Sequence, residues 1–311
     1  MYIPPEGLYF RLTGVQSQHV LYSRLGRDPE VWHYKGDSKS DDQLFSLIHG
    51  TGEQQGFHAI KGKKSGKVLY SRLSPDPQVG HVDEEDMDYD SWFDLEVGAG
   101  EHRKHFRIVC PVSGEVLFSR TNKDPHFGNY TRTVYSDDQW FTMDFEDMAV
   151  KSVDYDIAQG KILNATPHVL ANQTLTNNSD DEQEMSFSFS ETVTHTSKFD
   201  QFVCHCLLYL SFVIHPGVPI VTEGKITVSV SRSNEFTFGT ENTLTKTYTA
   251  NFPVKAGPGK SVRGVSSVQE GTLEVPYTIH LASKSTGVWV ETKGIWRGVS
   301  SWELRHDIRV E

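Results

Sequence analysis

The sequence predicts an all-β protein in two parts, a β-trefoil followed by a module of long strands, and three observations carry that prediction. The first part repeats three times at a fixed step of 48 residues without insertion or deletion. The second part loses that step, and its Ser and Thr number 35 among residues 151–311 against 18 among residues 1–150. In place of the repeat, strict alternation appears in Met185-Ser186-Phe187-Ser188-Phe189-Ser190 and in Lys225-Ile226-Thr227-Val228-Ser229-Val230-Ser231, the period-2 pattern of strands with one polar face.

The repeat is carried by Val20-Leu21-Tyr22-Ser23-Arg24, which recurs as Val68-Leu69-Tyr70-Ser71-Arg72 and as Val116-Leu117-Phe118-Ser119-Arg120. The same step relates Asp28-Pro29, Asp76-Pro77 and Asp124-Pro125, then Asp42, Asp90 and Asp138, then Phe45, Phe93 and Phe141. Leu12, Ile60 and Ile108 keep the same register. Each unit reads as an apolar start such as Phe106-Arg107-Ile108-Val109, a turn at Gly114, the strand ending in Arg, an Asp-Pro turn, a variable loop and a last strand near Phe141. Three such units are too few for a solenoid but suit a closed threefold barrel of about twelve strands, which leaves no sheet edge exposed.

Beyond residue 150 further strands are expected at 243–252, 273–281 and 288–292, with Gly257-Pro258-Gly259 as the clearest turn and no helix of useful length. The expected domains are therefore residues 1–149 and 150–311. Strands with a Ser/Thr face and a small apolar face fit a soluble sandwich, and they also fit a membrane barrel with apolar residues toward lipid. The most apolar stretch, residues 203–214, is 12 residues long and too short to cross as a helix.

Charge narrows the partners. The chain carries a formal net charge of −11, with 16 Lys+Arg against 24 Asp+Glu in residues 1–150 and 14 against 17 in the remainder. Neither half has the basic surface that phosphate neutralisation demands, so nucleic acid is excluded as an expectation and a neutral ligand fits better. Three cysteines, Cys110, Cys204 and Cys206, fit a reducing compartment, and the start Met1-Tyr2-Ile3-Pro4-Pro5-Glu6 lacks a secretory signal pattern. Cytoplasmic synthesis without a signal peptide is expected. Cys204-His205-Cys206 lacks the paired spacing of a zinc site, so neither a metal nor any other cofactor is expected.

Repetition also bears on activity. A catalytic acid and base need unlike surroundings, whereas three like loops offer three like ones, so binding is expected and an enzyme is not. Gly259-Lys260-Ser261 lacks the upstream glycine of a phosphate loop, Val254 standing in its place. Adjacent acids such as Asp41-Asp42 and Asp137-Asp138 would point to opposite faces of a strand, against a glycosidase pair. A trefoil protease inhibitor would need one privileged loop. The repeated Arg and Asp allow two readings, an ion pair that holds each loop or a saccharide pocket. A sugar needs planar donors and acceptors and an aromatic face. The second unit offers Arg72, Asp76, Gly80, Asp83, Tyr89 and Asp90, and the third offers Arg120, Asp124, Phe127, Gly128, Asn129, Tyr135 and Asp138. In the first stand Arg24, Asp28, Trp32, His33, Asp42 and Gln43. Gly80 and Gly128 would let a ligand approach the backbone, and since Trp32 takes their place, the first unit is expected to have lost binding.

Longer strings carry a family resemblance. They are Ile3-Pro4-Pro5-Glu6-Gly7-Leu8-Tyr9-Phe10-Arg11-Leu12, Phe45-Ser46-Leu47-Ile48-His49-Gly50-Thr51-Gly52-Glu53, Gly66-Lys67-Val68-Leu69-Tyr70-Ser71-Arg72, Gln183-Glu184-Met185-Ser186-Phe187, Lys246-Thr247-Tyr248-Thr249-Ala250 and Gly294-Ile295-Trp296-Arg297-Gly298-Val299-Ser300-Ser301-Trp302. With them the chain resembles the haemolytic pore-forming mushroom lectins typified by the lectin of the sulphur-shelf bracket fungus (Laetiporus type). The resemblance implies a trefoil that binds galactose, lactose or N-acetyllactosamine, joined to an elongated aerolysin-like module. In such a protein the module forms a homo-oligomer on glycosylated target membranes outside the cell and inserts one hairpin per subunit, as a haemolysin of fungal defence. One region departs from the family pattern: residues 199–215 read Phe-Asp-Gln-Phe-Val-Cys-His-Cys-Leu-Leu-Tyr-Leu-Ser-Phe-Val-Ile-His, and consecutive bulky residues would put Leu207 or Leu208 into a watery lumen. Two outcomes follow, a pore-forming lectin or a lectin that binds and agglutinates without lysis.

Overall fold

Twelve short strands make up the first part of the chain: β1 (Phe10–Gly14), β2 (Val20–Ser23), β3 (Val31–Tyr34), β4 (Phe45–His49), β5 (His58–Gly62), β6 (Val68–Ser71), β7 (Val79–Val82), β8 (Asp94–Val97), β9 (Phe106–Cys110), β10 (Glu115–Ser119), β11 (Phe127–Thr131) and β12 (Phe141–Phe145). The computed structural model describes residues 3–36, 40–201, 213–214, 217–229, 236–237 and 241–311. The apolar stretch 203–214, with Cys204 and Cys206 and the lost alternation, lies outside the described residues apart from 213–214.

Pairing of β12 with β1, from Phe10↔Phe145 to Gly14↔Phe141, joins the last strand of this part to the first. The barrel continues from β1 to β4, β4 to β5, across the bridge His58↔Phe93 at the start of β8, then β8 to β9 and β9 to β12. The hairpins β2–β3, β6–β7 and β10–β11 cap it, one per unit. This is the trefoil that the repeat predicts. Its core is threefold as well: Leu12, Ile60 and Ile108, Leu21, Leu69 and Leu117, and Phe45, Phe93 and Phe141 are all buried, because period-2 alternation on every barrel strand turns those positions inward.

A ring of buried polar clasps ties the units together, and it is invisible in the repeat itself. Ser23 Oγ of the first unit lies 2.8 Å from Nδ1 of His81 in the second. Ser71 Oγ of the second accepts from Asn129 Nδ2 of the third at 2.8 Å, and Ser119 Oγ of the third lies 2.5 Å from Nδ1 of His33 in the first. The partners at positions 33, 81 and 129 are equivalent by the 48-residue step. Each serine is fully buried, so its hydroxyl needs a protein partner, and the next unit supplies it.

The chain divides into two units, one comprising Met1–Ala149 with Leu281–Val290, the other Val150–Phe202, Ser211–His280 and Glu291–Glu311. The ten residues 281–290 join the first unit because Lys284 N donates to Asp147 O at 2.9 Å and Ser285 Oγ donates to the Glu146 carboxylate.

The remaining strands are β13 (Met148–Tyr155), β14 (Lys161–Thr176), β15 (Gln183–Gln201), β16 (Val213–Ile214), β17 (Val218–Thr222), β18 (Lys225–Ser229), β19 (Phe236–Thr237), β20 (Glu241–Ala256), β21 (Ser261–Ser283) and β22 (Trp289–Val310). Of these, β15, β20, β21 and β22 run longer than the segments expected from alternation, β21 reaching 23 residues. Sheet order is β13-β21-β22-β15-β20, with β14 also on β21. The expected turn at 257–259 is present, closed by Lys260 N donating to Gly257 O at 3.1 Å. Alternation holds along β15. Phe187, Val193 and Phe199 turn inward, where Phe187 meets Val254, Ala256 and Val262, and Val193 meets Leu170, Tyr248 and Val268. Ser186, Ser188, Ser190, Thr192, Thr194 and Thr196 turn outward and are exposed. Opposite them on β20 are Thr243, Thr245, Thr247, Thr249 and Asn251, with Thr192 and Thr247 joined at 3.0 Å. Besides β13, two strands lie on the outside of this sheet, and both are interrupted: β14 contains Pro167 and two register shifts, and β20, paired only with β15 among the described residues, contains Pro253, Lys246 and Lys255. Among the described residues no helix is long and apolar enough to cross a membrane.

Candidate functional site

The site begins with an arginine stacked on an aromatic ring. In each unit the residue two places before the repeated Arg puts its ring beneath the guanidinium: Arg24 over Tyr22 at 4.3 Å, Arg72 over Tyr70 at 3.5 Å and Arg120 over Phe118 at 4.2 Å. Residues two apart on a strand share a face, so the strand sets this contact, and cation–π attraction stabilises it.

From that shared start the three units diverge. Arg120 is built into its loop: Nε donates to Pro125 O at 2.9 Å and to Lys123 O at 3.2 Å, Nη2 to Asp124 O at 3.5 Å, and Nη1 to Asp138 Oδ2 at 3.3 Å. Asp138 is buried and also accepts from Tyr130 OH at 2.6 Å. Burial first, and then that bond, push the Tyr130 hydroxyl up to about 12. In the second unit only a long pair joins Arg72 Nε to Asp90 Oδ2, at 3.6 Å, and Nε has no hydrogen-bond partner although it is buried. In the first, Arg24 Nη2 donates to Tyr22 OH at 3.0 Å, and one oxygen of buried Asp42 has no hydrogen-bond partner. The ion-pair reading therefore describes the third unit well and the other two poorly.

The third-unit arginine opens onto a cavity of about 510 Å³ lined by Arg120, Asn122, Lys123, Asn129, Tyr130 and Asp138, with Gln16, Phe118, Pro125, Val134 and Ser136. Its size suits a small ligand, and its donors and acceptors converge from two turns and a strand. Asn129 spends its amide on Ser71 and on Arg72 O at 3.1 Å, so it positions the wall. Asn122 and Lys123 are exposed on the rim.

Several predicted site residues are placed elsewhere. Phe127 is buried in the head's interior, 5.8 Å from the rings of both Trp32 and His33, because β11 alternation turns it inward; it is core. Tyr135 is held by Arg107, which stacks on its ring at 4.1 Å, and not by Arg120. Asp83 pairs with Lys67 at 3.0 Å. The Asp124 carboxylate points to solvent beside His126 at 3.2 Å, and only its backbone oxygen meets Arg120. Tyr89 and Asp76 are exposed and outside the 510 Å³ cavity. Gly80 and Gly128 each leave room for a ring of the protein. A Cβ on Gly80 would lie 2.6 Å from Tyr70 Cζ, and one on Gly128 would lie 3.3 Å from the Phe118 ring. Trp32 is tolerated opposite Tyr22 because the Tyr22 ring lies beside Tyr34 at 5.4 Å. Gly80→Ala is accordingly expected to destabilise the head by about 1–3 kcal/mol, as overpacking does, and Gly128→Ala by about 1–3 kcal/mol, because its φ of 159° is one that a side chain rarely adopts. Thermal melts of the two variants measure both losses.

Asp28 and Gly80 meet instead in a second cavity, of about 490 Å³, formed by residues 28–32 of the first unit and by Tyr70, Pro77, Val79, Gly80 and His81 of the second. Sequence reasoning missed it because its two walls come from different repeats. Among the described residues no group of three or more His, Cys, Asp or Glu side chains is arranged to hold a metal ion.

No family model matches the chain. Natterin-2 of Thalassophryne nattereri is 21% identical over 169 residues, 53% of this chain and 44% of that protein, so the chain spans less than half the length of that relative. Among solved structures, the BEL β-trefoil is 44% identical over 46% of this chain and 97% of that one, with a TM-score of 0.44. An aerolysin-like protein of Bombina maxima is 10% identical over 51% of this chain and 97% of that one, with a TM-score of 0.33. These likenesses do not single out the mushroom lectins, and the all-β architecture rests on the strand pairing of this chain itself.

Proposed function

We propose that the chain is a galactoside-binding lectin, taking lactose or N-acetyllactosamine, whose second unit oligomerises on glycosylated membranes and opens a β-barrel pore. In this reading it is made in the cytoplasm and acts outside the cell. The observation that carries the binding half is the 510 Å³ cavity of the third unit, where Arg120, Asp138 and Tyr130 are fixed in place while Asn122 and Lys123 stand free on the rim to meet hydroxyls. The lytic half is supported by the hydroxyl-bearing outer face shared by β15 and β20, which a water-filled lumen would need. Favouring the rival, a lectin that binds without lysis, are the consecutive bulky residues Leu207-Leu208-Tyr209-Leu210.

Removing a rim donor should weaken lactose binding without disturbing the fold. Asn122→Ala and Lys123→Ala are each expected to lower lactose affinity roughly 3- to 10-fold, the worth of one hydrogen bond, with unchanged thermal melting. Calorimetric titration measures this, and undiminished binding by the double variant would reject the assigned pocket. Dye release from galactosylated liposomes separates the two halves: release establishes the pore, whereas binding without release selects the rival.

A further inference from the structure

The 490 Å³ cavity between the first and second units of the head differs in chemistry from the sugar-sized cavity of the third, and it plays no part in the function proposed above. Its walls are largely apolar, with Pro29, Val31, Trp32, Pro77 and Val79 among them, and its polar groups are Asp28, Glu30 and His81, with the edge of Tyr70. Few convergent polar groups in an apolar pocket of this size are what small-molecule sites present. The charge is of one sign. Among the described residues no Lys or Arg lines it, whereas Arg120 and Lys123 line the third-unit cavity. Arg72 stacks on the Tyr70 ring but does not line the cavity.

Glu30 is a fixed anion. Its Oε1 accepts from Gly26 N at 2.8 Å and its Oε2 lies 3.0 Å from His81 Nε2. Those two bonds, the backbone one first, hold its carboxyl below the usual range. Burial keeps the His81 ring low and hence neutral, so Nε2–H donates to Glu30 while Nδ1 faces Ser23. Half-buried Trp32 adds an indole wall. Carboxylates beside an indole, with prolines and valines completing the wall, suit a cation that carries carbon on its nitrogen. A metal ion would need more oxygen ligands than two carboxylates supply.

We propose that this cavity binds an organic ammonium group through the Glu30 and Asp28 carboxylates and the face of Trp32. Two sources share that chemistry, a quaternary ammonium of the choline type and the protonated amine of an amino sugar. The excess of acid in residues 1–150, 24 Asp+Glu against 16 Lys+Arg, concentrates such cations near the head.

The test titrates the full-length chain, followed by NMR shifts or calorimetry, with choline and with 3,3-dimethylbutan-1-ol, which has choline's shape without its charge. Glucosamine and N-acetylglucosamine form the second pair. At least one charged member is expected to bind about tenfold or more tightly than its neutral counterpart, and the pair that shows the difference identifies the source. Glu30→Gln keeps an amide oxygen for Gly26 N–H and, with His81 in its Nδ1–H tautomer, an amide NH2 to donate to Nε2, and it is expected to reduce that binding about tenfold while melting as the wild type does. Trp32→Ala is expected to reduce it further. Equal binding of charged and neutral members, no binding of either charged compound at millimolar concentration, or full binding by Glu30→Gln overturns the proposal. Lactose titration of the same variants reports on the third-unit cavity alone, so failure of one reading leaves the other standing.

Discussion

Lowering the pH from neutrality to about 4 is expected to cost the head roughly 3 kcal/mol through His33 alone. Burial, then the nearby His19 and His126, hold the folded His33 ring at about 4, against an ordinary value of 6.5. Between those values the unfolded chain binds the extra proton, so this stability is complete above about 6.5 and is lost as the pH falls toward 4. The cause is the site itself: a second proton on the His33 ring would place a charge in the buried interior of the head, beside His19 and His126. Asn129, at the equivalent position of the third unit, reaches Ser71 with a group that does not titrate. His33→Asn is therefore expected to remove about 3 kcal/mol of the acid sensitivity while leaving other buried histidines to supply the remainder. Urea unfolding followed by tryptophan fluorescence at both pH values measures it. Equal acid losses in wild type and variant would show that the clasp does not titrate.

The repeated arginines should not cost alike. Arg120→Ala takes away four bonds and leaves Asp138 buried beside Tyr130 alone, and a loss of about 3 kcal/mol is expected from such an uncompensated buried charge. Arg72→Ala removes one pair at 3.6 Å between partly exposed groups and a ring contact, for which less than about 1 kcal/mol is expected. The same unfolding measurement compares them. Similar losses at the two positions would mean that the second-unit loop is tied down as firmly as the third.

The sequence made the barrel legible because Val-Leu-aromatic-Ser-Arg fixes both the strand and its inward face at each step. What it hid was contact between repeats. Ser119 and His33 are 86 positions apart, and Ser23 and His81 are 58 apart, and nothing in a repeat tells which neighbour a serine will meet. Phe127 and Tyr135 show a second limit: an aromatic in a variable loop reads as a sugar platform until strand alternation or a rival arginine claims it. Beyond residue 150, alternation revealed β15, β18, β20, β21 and β22, but not their ends, and it left β13, β14 and β17 unread. β15 and β20 continue well past their most regular stretches because cross-strand pairing from Gln183↔Ala256 to Lys198↔Glu241 sustains residues that alone would read as loop.

The proline and register breaks on β14, and the proline and lysines on β20, bear on solubility before any target is met. An unbroken edge of sixteen residues would be a template on which one free molecule could recruit the next. With β14 and β20 interrupted in this way, neither strand presents a second chain with a regular ladder to extend.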